Sequence, residues 1–231
     1  MATAPTPPLP IAVLASGRGS NLQALLTARE SGTLPIDVVL VASDKAEAPA
    51  LRIAEAAGIA TLALDPRGFA ERAAYDRELF ARLAAAGPEL VVLAGFMRIL
   101  DAAAIAPWIG RMINVHPSLL PKYRGLHTHR RALRAGDAEH GASVHFVTGE
   151  LDGGPLIAQA RLAVLPDDDE AALSARLLPL EHRLLAAVVA GIAAGSLSLE
   201  GEQVRWKGGV LECPLALGAG GTLVASAPAS A

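Results

Sequence analysis

The hydrophobic pattern along the chain alternates between two periods. Apolar runs at Ile11–Ala15, Ile36–Ser43 and Leu90–Ala94 end in glycine or serine and predict strands buried on both faces of a parallel sheet. Shorter runs at Ile59–Leu64 and Met112–Val115 predict two more. Between them the spacing turns helical. Leu22, Leu25 and Leu26 follow the first run, Ala48–Ala57 is closed by Gly58, and Phe69–Ala86 ends at Gly87-Pro88. Asp101 caps a short helix that breaks at Pro107.

Farther along, a helix is expected over Thr128–Ala135 and strands over His140–Val147 and Leu156–Leu165, the second antiparallel and at the sheet edge. Asp167–Asp169 open a long helix to about Ala194, with carboxylates at its positive end, and short strands fall within Ser196–Leu211. The expected fold is α/β: a doubly wound, mostly parallel, Rossmann-like sheet of about seven strands with helices on both faces. Met1–Pro10, rich in proline and alanine, reads as a disordered leader, and residues 213–231 as a mostly disordered tail.

Composition narrows the function classes. The chain has 231 residues, 52% of them hydrophobic but only 3% aromatic, so its core is built from small branched side chains. A net charge of -3 offers no footprint for nucleic acid. No apolar run reaches the roughly 18 residues that span a bilayer, and the leader lacks the basic start of a secretory signal. The expected location is cytoplasmic. Cys213 alone excludes an internal disulfide and reads as a small packing residue. Either a monomer or a homodimer fits.

The candidate chemistry gathers at the end of the Met112–Val115 run. Asn114 and His116 are two apart and share a face of an extended segment. Asp152, in the glycine-rich turn Leu151-Asp152-Gly153-Gly154, can fold back toward His116. An amide, an imidazole and a carboxylate in one cleft suit acyl transfer, in which an oxyanion forms and a proton moves. At the other end of the chain, Ser16-Gly17-Arg18-Gly19-Ser20-Asn21 joins a strand to a helix. Gly19, Ser20 and Asn21 there make an anion site or, more simply, a tight turn with Ser20 or Asn21 as N-cap.

This loop lacks the lysine of a Walker motif and the third glycine of a dinucleotide fingerprint, although Asp44 after the next strand could serve a ribose. Gly95–Leu100 suits a flat heterocycle or plugs the core. Arg72, Arg77 and Arg82 read as solvated charges. His127 and His129, with His116, His140 and His145, invite a metal reading. No Cys pair or His-Glu-x-x-His spacing supports it, so the expectation is no metal, with His127 and His129 capping or packing the loop.

Asn114-x-His116-x-Ser118-Leu119-Leu120-Pro121 followed by Leu151-Asp152-Gly153-Gly154 resembles the core of the folate-dependent formyltransferase family. Ser16–Gln23, Val91–Leu100 and Gly125–Arg130 sharpen the resemblance toward its phosphoribosylglycinamide formyltransferases, and it runs from about Ile11 to Val210. The resemblance implies one formyltransferase domain over residues 11–212. The N-terminal half would hold the phosphate or nucleotide, and the C-terminal half would complete the folate and catalytic site.

It further implies 10-formyltetrahydrofolate as co-substrate with no tightly bound cofactor, and catalysis by Asn114, His116 and Asp152. Folate contacts would come from Arg72, Met97, Arg98, Ile99, Leu100, Asn114, Thr148 and Asp152, and substrate phosphate and ribose contacts from Gly19, Ser20, Asn21 and Glu181. Leu178 stands where the family usually carries a polar residue that helps hold the phosphate, and Pro179 beside it removes a backbone donor and is expected to kink the helix.

Alternatives remain within the family. Methionyl-tRNA formyltransferase shares the Asn-x-His motif and Arg124-Gly125, but it carries a basic C-terminal domain for tRNA. Formyltetrahydrofolate hydrolase carries an N-terminal regulatory domain. Neither extension is expected here. Outside the family, a nucleotide-binding module without chemistry would leave the Asn114, His116 and Asp152 pattern unexplained.

Overall fold

The computed structural model describes residues 7–226. The chain opens with β1 (Leu9–Leu14), α1 (Ser20–Glu30), β2 (Ile36–Ser43), α2 (Pro49–Ala56) and β3 (Thr61–Ala63). It continues through α3 (Arg72–Ala86), β4 (Leu90–Leu93), α4 (Ala102–Ile105), β5 (Met112–His116) and α5 (Thr128–Ala135). Then come β6 (Glu139–Phe146), β7 (Leu156–Ala163) and α6 (Glu170–Ala193). After α6 lie β8 (Leu197–Glu200), β9 (Gln203–Trp206), β10 (Gly209–Val210), β11 (Leu215–Leu217) and β12 (Leu223–Val224).

Among the described residues nine strands form one sheet in the order β12-β11-β7-β6-β5-β4-β1-β2-β3, and β10-β9-β8 form a small second sheet. The wound architecture follows from the period-2 pattern of strands buried on both faces. Ile11 and Val13 of β1 point to one side, into a core with Leu22, Leu25 and Leu26 of α1, Leu51 of α2 and Leu184 and Val188 of α6. Ala12 and Leu14 point to the other, against Tyr75, Leu79 and Leu83 of α3 and Ile105 of α4. Helices therefore cover both faces. Among the described residues no helix is long and apolar enough to cross a membrane.

Several boundaries differ from the expectation. The sheet has more strands than seven because its β7 side is extended. Residues within 213–231, expected as a mostly disordered tail, supply β11, parallel to β7, and β12, antiparallel to β11. That places β7 inside the sheet rather than at its edge. Leu9 and Pro10, assigned to the leader, pair with Ile36 and Asp37 as the start of β1. The rest of the leader before residue 7, and of the tail after residue 226, lies outside the described residues.

Helix α3 begins at Arg72 rather than Phe69. A 3-10 turn at Pro66–Gly68 precedes it, where the Asp65 carboxylate accepts from the Arg67 N–H. Helix α6 continues through Pro179 as one element. Strand β6 reverses direction beside β5. It runs antiparallel to both β5 and β7 and sets Asn114 directly opposite His145.

Candidate active site

Strand β5 delivers the first two polar side chains. Its apolar residues Met112, Ile113 and Val115 are buried on the two sheet faces, and Asn114 and His116 emerge together near the end of the strand. Asn114 Nδ2 donates to Asp152 Oδ1 at 3.4 Å and to His145 Nε2 at 3.2 Å. His145 Nδ1–H donates to the Phe146 carbonyl at 2.8 Å, so in the neutral ring Nε2 is the acceptor that the Asn114 amide requires. Asp152 Oδ2 accepts the Gly125 N–H at 2.8 Å and lies 3.5 Å from His116 Nδ1. His116 Nε2–H donates to the Tyr123 carbonyl at 3.0 Å. Asn114, His116 and Asp152 thus meet as the sequence suggested, and His145, Tyr123 and Gly125 complete the cluster.

The His116 and Asp152 side chains are 8% and 9% exposed. Burial lowers the His116 pKa below the usual value. The hydrogen bond to Tyr123 and the Asp152 charge oppose that change without cancelling it. For Asp152, burial works against the charged form. The nearby His145 ring, the Gly125 N–H bond and the His116 ring favour the carboxylate when the imidazoles are charged, and together they outweigh burial and bring it down to about 2. At neutral pH the resting centre holds a carboxylate beside a largely neutral imidazole.

Two cavities open on this cluster. One of about 500 Å³ is lined by Met97, Arg98, Asn114, His116, His127 and Asp152, among others. A smaller one of about 80 Å³ reaches Arg98, Ile99, Leu100, Asn114, Thr148 and Asp152. The expected folate-contact residues are therefore gathered here, with one exception. Arg72 is exposed at the first turn of α3 and lines neither cavity. The loop after β5 is fastened around the cleft. Tyr123 donates to Asp137 at 2.7 Å, Arg131 donates to the Arg124 carbonyl at 2.6 Å, and Arg124 pairs with Glu150 of the Asp152 turn.

His127 is the N-cap residue of α5 in the left-handed conformation, and its side chain makes no capping bond. His129 packs on His140, with 3.0 Å between ring nitrogens, and burial followed by the His129 charge takes His140 to about 4. Among the described residues no three His, Cys, Asp or Glu side chains cluster as metal ligands would.

The strand–loop–helix corner begins where β1 ends. Gly19, not Ser20 or Asn21, is the N-cap residue of α1, with φ 76° and no side-chain cap, so the backbone N–H groups of the first turn stay open. The glycine is also required by packing, because a Cβ there would stand 2.8 Å from Ala50 Cα. Asn21 is buried and its Oδ1 has no partner. Glu181 reaches the same corner from α6. Burial pushes it up to about 7, and the Asn21 amide and the Arg18 charge only partly offset this. Leu178, one turn earlier, is half-buried and belongs to neither core.

Known proteins resemble this chain in sequence and fold. A family profile described as "Formyl transferase" matches residues 9–189. The phosphoribosylglycinamide formyltransferase of Escherichia coli K12 is 50% identical over 199 residues, covering 86% of this chain and 93% of that one. The Haemophilus influenzae protein of the same name is 39% identical over 190 residues, 82% of this chain and 90% of its own. Among solved structures, phosphoribosylglycinamide formyltransferase from Coxiella burnetii superposes with a TM-score of 0.85 at 47% identity, covering 88% of this chain and 96% of that one.

Proposed function

The chain belongs to the formyl transferase family, and from that premise we infer how its cleft works. The enzyme moves the formyl group of 10-formyltetrahydrofolate to the amine of 5-phosphoribosylglycinamide, a step of de novo purine biosynthesis. The observation that carries the assignment of roles is the meeting of Asn114, His116 and Asp152 in one buried cluster open to two cavities.

In this reading the amine attacks the formyl carbon and the carbonyl oxygen becomes an oxyanion. Asn114 Nδ2–H and His116 Nε2–H are the two donors for it. Both are engaged at rest, the amide with His145 and Asp152, the imidazole with the Tyr123 carbonyl. The substrate oxygen therefore replaces partners already present, and no bare donor is left buried beforehand. As the oxyanion develops it favours the charged imidazole, and the ionised Asp152 facing Nδ1 supports that charge. Collapse of the intermediate expels N10 of the folate, which gains a proton as the amine loses one. The folate enters and leaves as a co-substrate.

Gly19, Ser20 and Asn21 hold the substrate phosphate at the α1 N-terminus, and Glu181 takes the ribose hydroxyls. Met97–Leu100 and Thr148 line the folate side. The test is incubation with 10-formyltetrahydrofolate with and without glycinamide ribonucleotide. Formylated ribonucleotide and tetrahydrofolate in equal amounts are expected. Release of formate without the ribonucleotide would assign a hydrolase instead.

A further inference from the structure

The segment Phe96–Leu100 forms a wall of both cavities, yet no helix or strand contains it. Among the described residues the backbone groups of Arg98, Ile99 and Leu100 make no backbone–backbone hydrogen bond. A segment with unpaired backbone groups ordinarily moves, because nothing repays the entropy of fixing it. Here its two ends are held by buried side chains remote in sequence. Ser16, 4% exposed at the end of β1, accepts the Met97 N–H on Oγ at 2.9 Å. The Ser16 N–H donates to the Gly95 carbonyl at 3.1 Å, so the residue grips the segment twice. Asp76, fully buried on α3, accepts the Asp101 N–H on Oδ2 at 2.8 Å.

Asp76 is costly to keep. Its other oxygen has no partner, and burial raises its pKa against the pull of the Asp101 N–H, Arg98 and Arg72. No core requirement calls for a carboxylate there. Arg98, which belongs to the segment, lies with its guanidinium 4.6 Å from the Tyr75 ring centre, next to Asp76 in sequence. The surroundings of the fastening are therefore polar groups with few partners. The arrangement is economical of donors. The Met97 and Asp101 amides are tied down, and the three residues between them keep their backbone groups for whatever fills the cavity.

We propose that Ser16 and Asp76 are positioning residues for the folate co-substrate: buried acceptors that clamp the Met97 and Asp101 amides and hold Arg98–Leu100 open to bind its heterocycle. The clamp is a property of the free protein, while its effect on the folate rests on the function proposed above.

Amide hydrogen exchange and steady-state kinetics on Ser16→Ala, Asp76→Ala and Asp76→Asn test both parts. Ser16→Ala should speed exchange of the ligand-free Met97 amide, and Asp76→Ala that of Asp101. Each should raise the Michaelis constant for 10-formyltetrahydrofolate about three- to tenfold, the worth of one net hydrogen bond. The constant for glycinamide ribonucleotide should change less than about twofold, since Gly19, Ser20, Asn21 and Glu181 take part in neither bond. Asp76→Asn keeps an acceptor oxygen and should stay near wild type.

If Asp76→Ala does not fold, Ser16→Ala and Asp76→Asn still decide the matter. Unchanged exchange at Met97 in Ser16→Ala overturns the clamp, as does an Asp76→Asn protein with weakened folate binding or faster Asp101 exchange. Equal rises in both Michaelis constants would mark a general structural role and overturn it too. A wild-type protein that formylates nothing would refute the assigned function and leave the exchange result standing.

Discussion

The two ligand-facing regions differ in how they wait. In the cleft, the amide of Asn114, Nε2 of His116 and both oxygens of Asp152 have hydrogen-bond partners, and the carboxylate is stabilised down to about 2. At the α1–α6 corner, Asn21 Oδ1 is buried with no partner and Glu181 is pushed up to about 7. The first region is set for a bond-making step and can be entered only by exchanging one hydrogen bond for another. The second is an incomplete polar cluster in which buried groups carry a desolvation penalty until a ligand meets them. Chemistry requires placed donors, whereas binding can draw on the relief of unsatisfied groups.

The largest break in this comparison should come from the cleft. Asn114→Ala, His116→Ala and Asp152→Ala are each expected to lower turnover on the order of 100- to 1000-fold, with circular dichroism unchanged. Near-normal turnover by a folded His116→Ala protein would remove the assigned mechanism.

The corner should show itself in stability. Glu181 has its folded pKa above the unfolded value, so its contribution is complete at low pH and lost as pH rises through about 7. Glu181→Gln should therefore be more stable than wild type at pH 8, by up to about 3 kcal/mol, and should lose that advantage by pH 4. Urea titrations at the two pH values read this, and an equal difference at both would contradict it. Leu178→Gln should sharpen the corner by adding a donor where the helix presents a half-buried methyl surface. A Michaelis constant for glycinamide ribonucleotide lower by about tenfold is expected. An unchanged constant in the folded protein would mean that no contact was missing.

Two smaller effects remain. An NMR titration should place His116 below its ordinary value, because burial dominates, and lower still in Asp152→Asn, where the opposing charge is gone. The same midpoint in both proteins would dissolve the pair. Truncation before Gly218 removes β12 and the Ala219 carbonyl that accepts from Arg183 at 2.8 Å. A melting temperature lower by about 2–4 °C is expected, as for a loss near 1 kcal/mol in a domain of this size. No change would show that β12 adds nothing.

The core of the sheet was legible because its strands are long apolar runs and its helices carry regular spacing. Asn114, His116 and Asp152 were legible because two share one strand face and the third lies in a turn whose glycines bend it back. What was not legible depends on pairing between remote segments. His145 joins the cleft through its register opposite Asn114 across an antiparallel pair, which no local pattern announces, although Ser143 and His145 as alternate polar positions in a buried strand were a signal. Strands β11 and β12 are short, within a Gly- and Ala-rich stretch, and exist by pairing with β7 and with each other rather than by their own propensity. Ser16 and Asp76 were hidden for the same reason, since their partners lie 81 and 25 residues away.

The Asp152 backbone has a further consequence. Its φ of 48° is in the left-handed region, which a side chain other than glycine occupies at a cost of about 1 kcal/mol or more. Two glycines follow it, and a Cβ at Gly154 would fall 1.9 Å from the Phe146 carbonyl, so the turn cannot relax by moving the burden onward. Glycine at position 152 would relieve the backbone and remove the carboxylate in a single replacement. The bonds that the carboxylate accepts from Gly125 and Asn114 offset that strain, so the turn and the reaction rest on the same side chain. Gly-Gly-Gly in place of Asp-Gly-Gly would therefore mark a relative that gave up the reaction and this anchor together, while keeping a backbone able to follow the same turn.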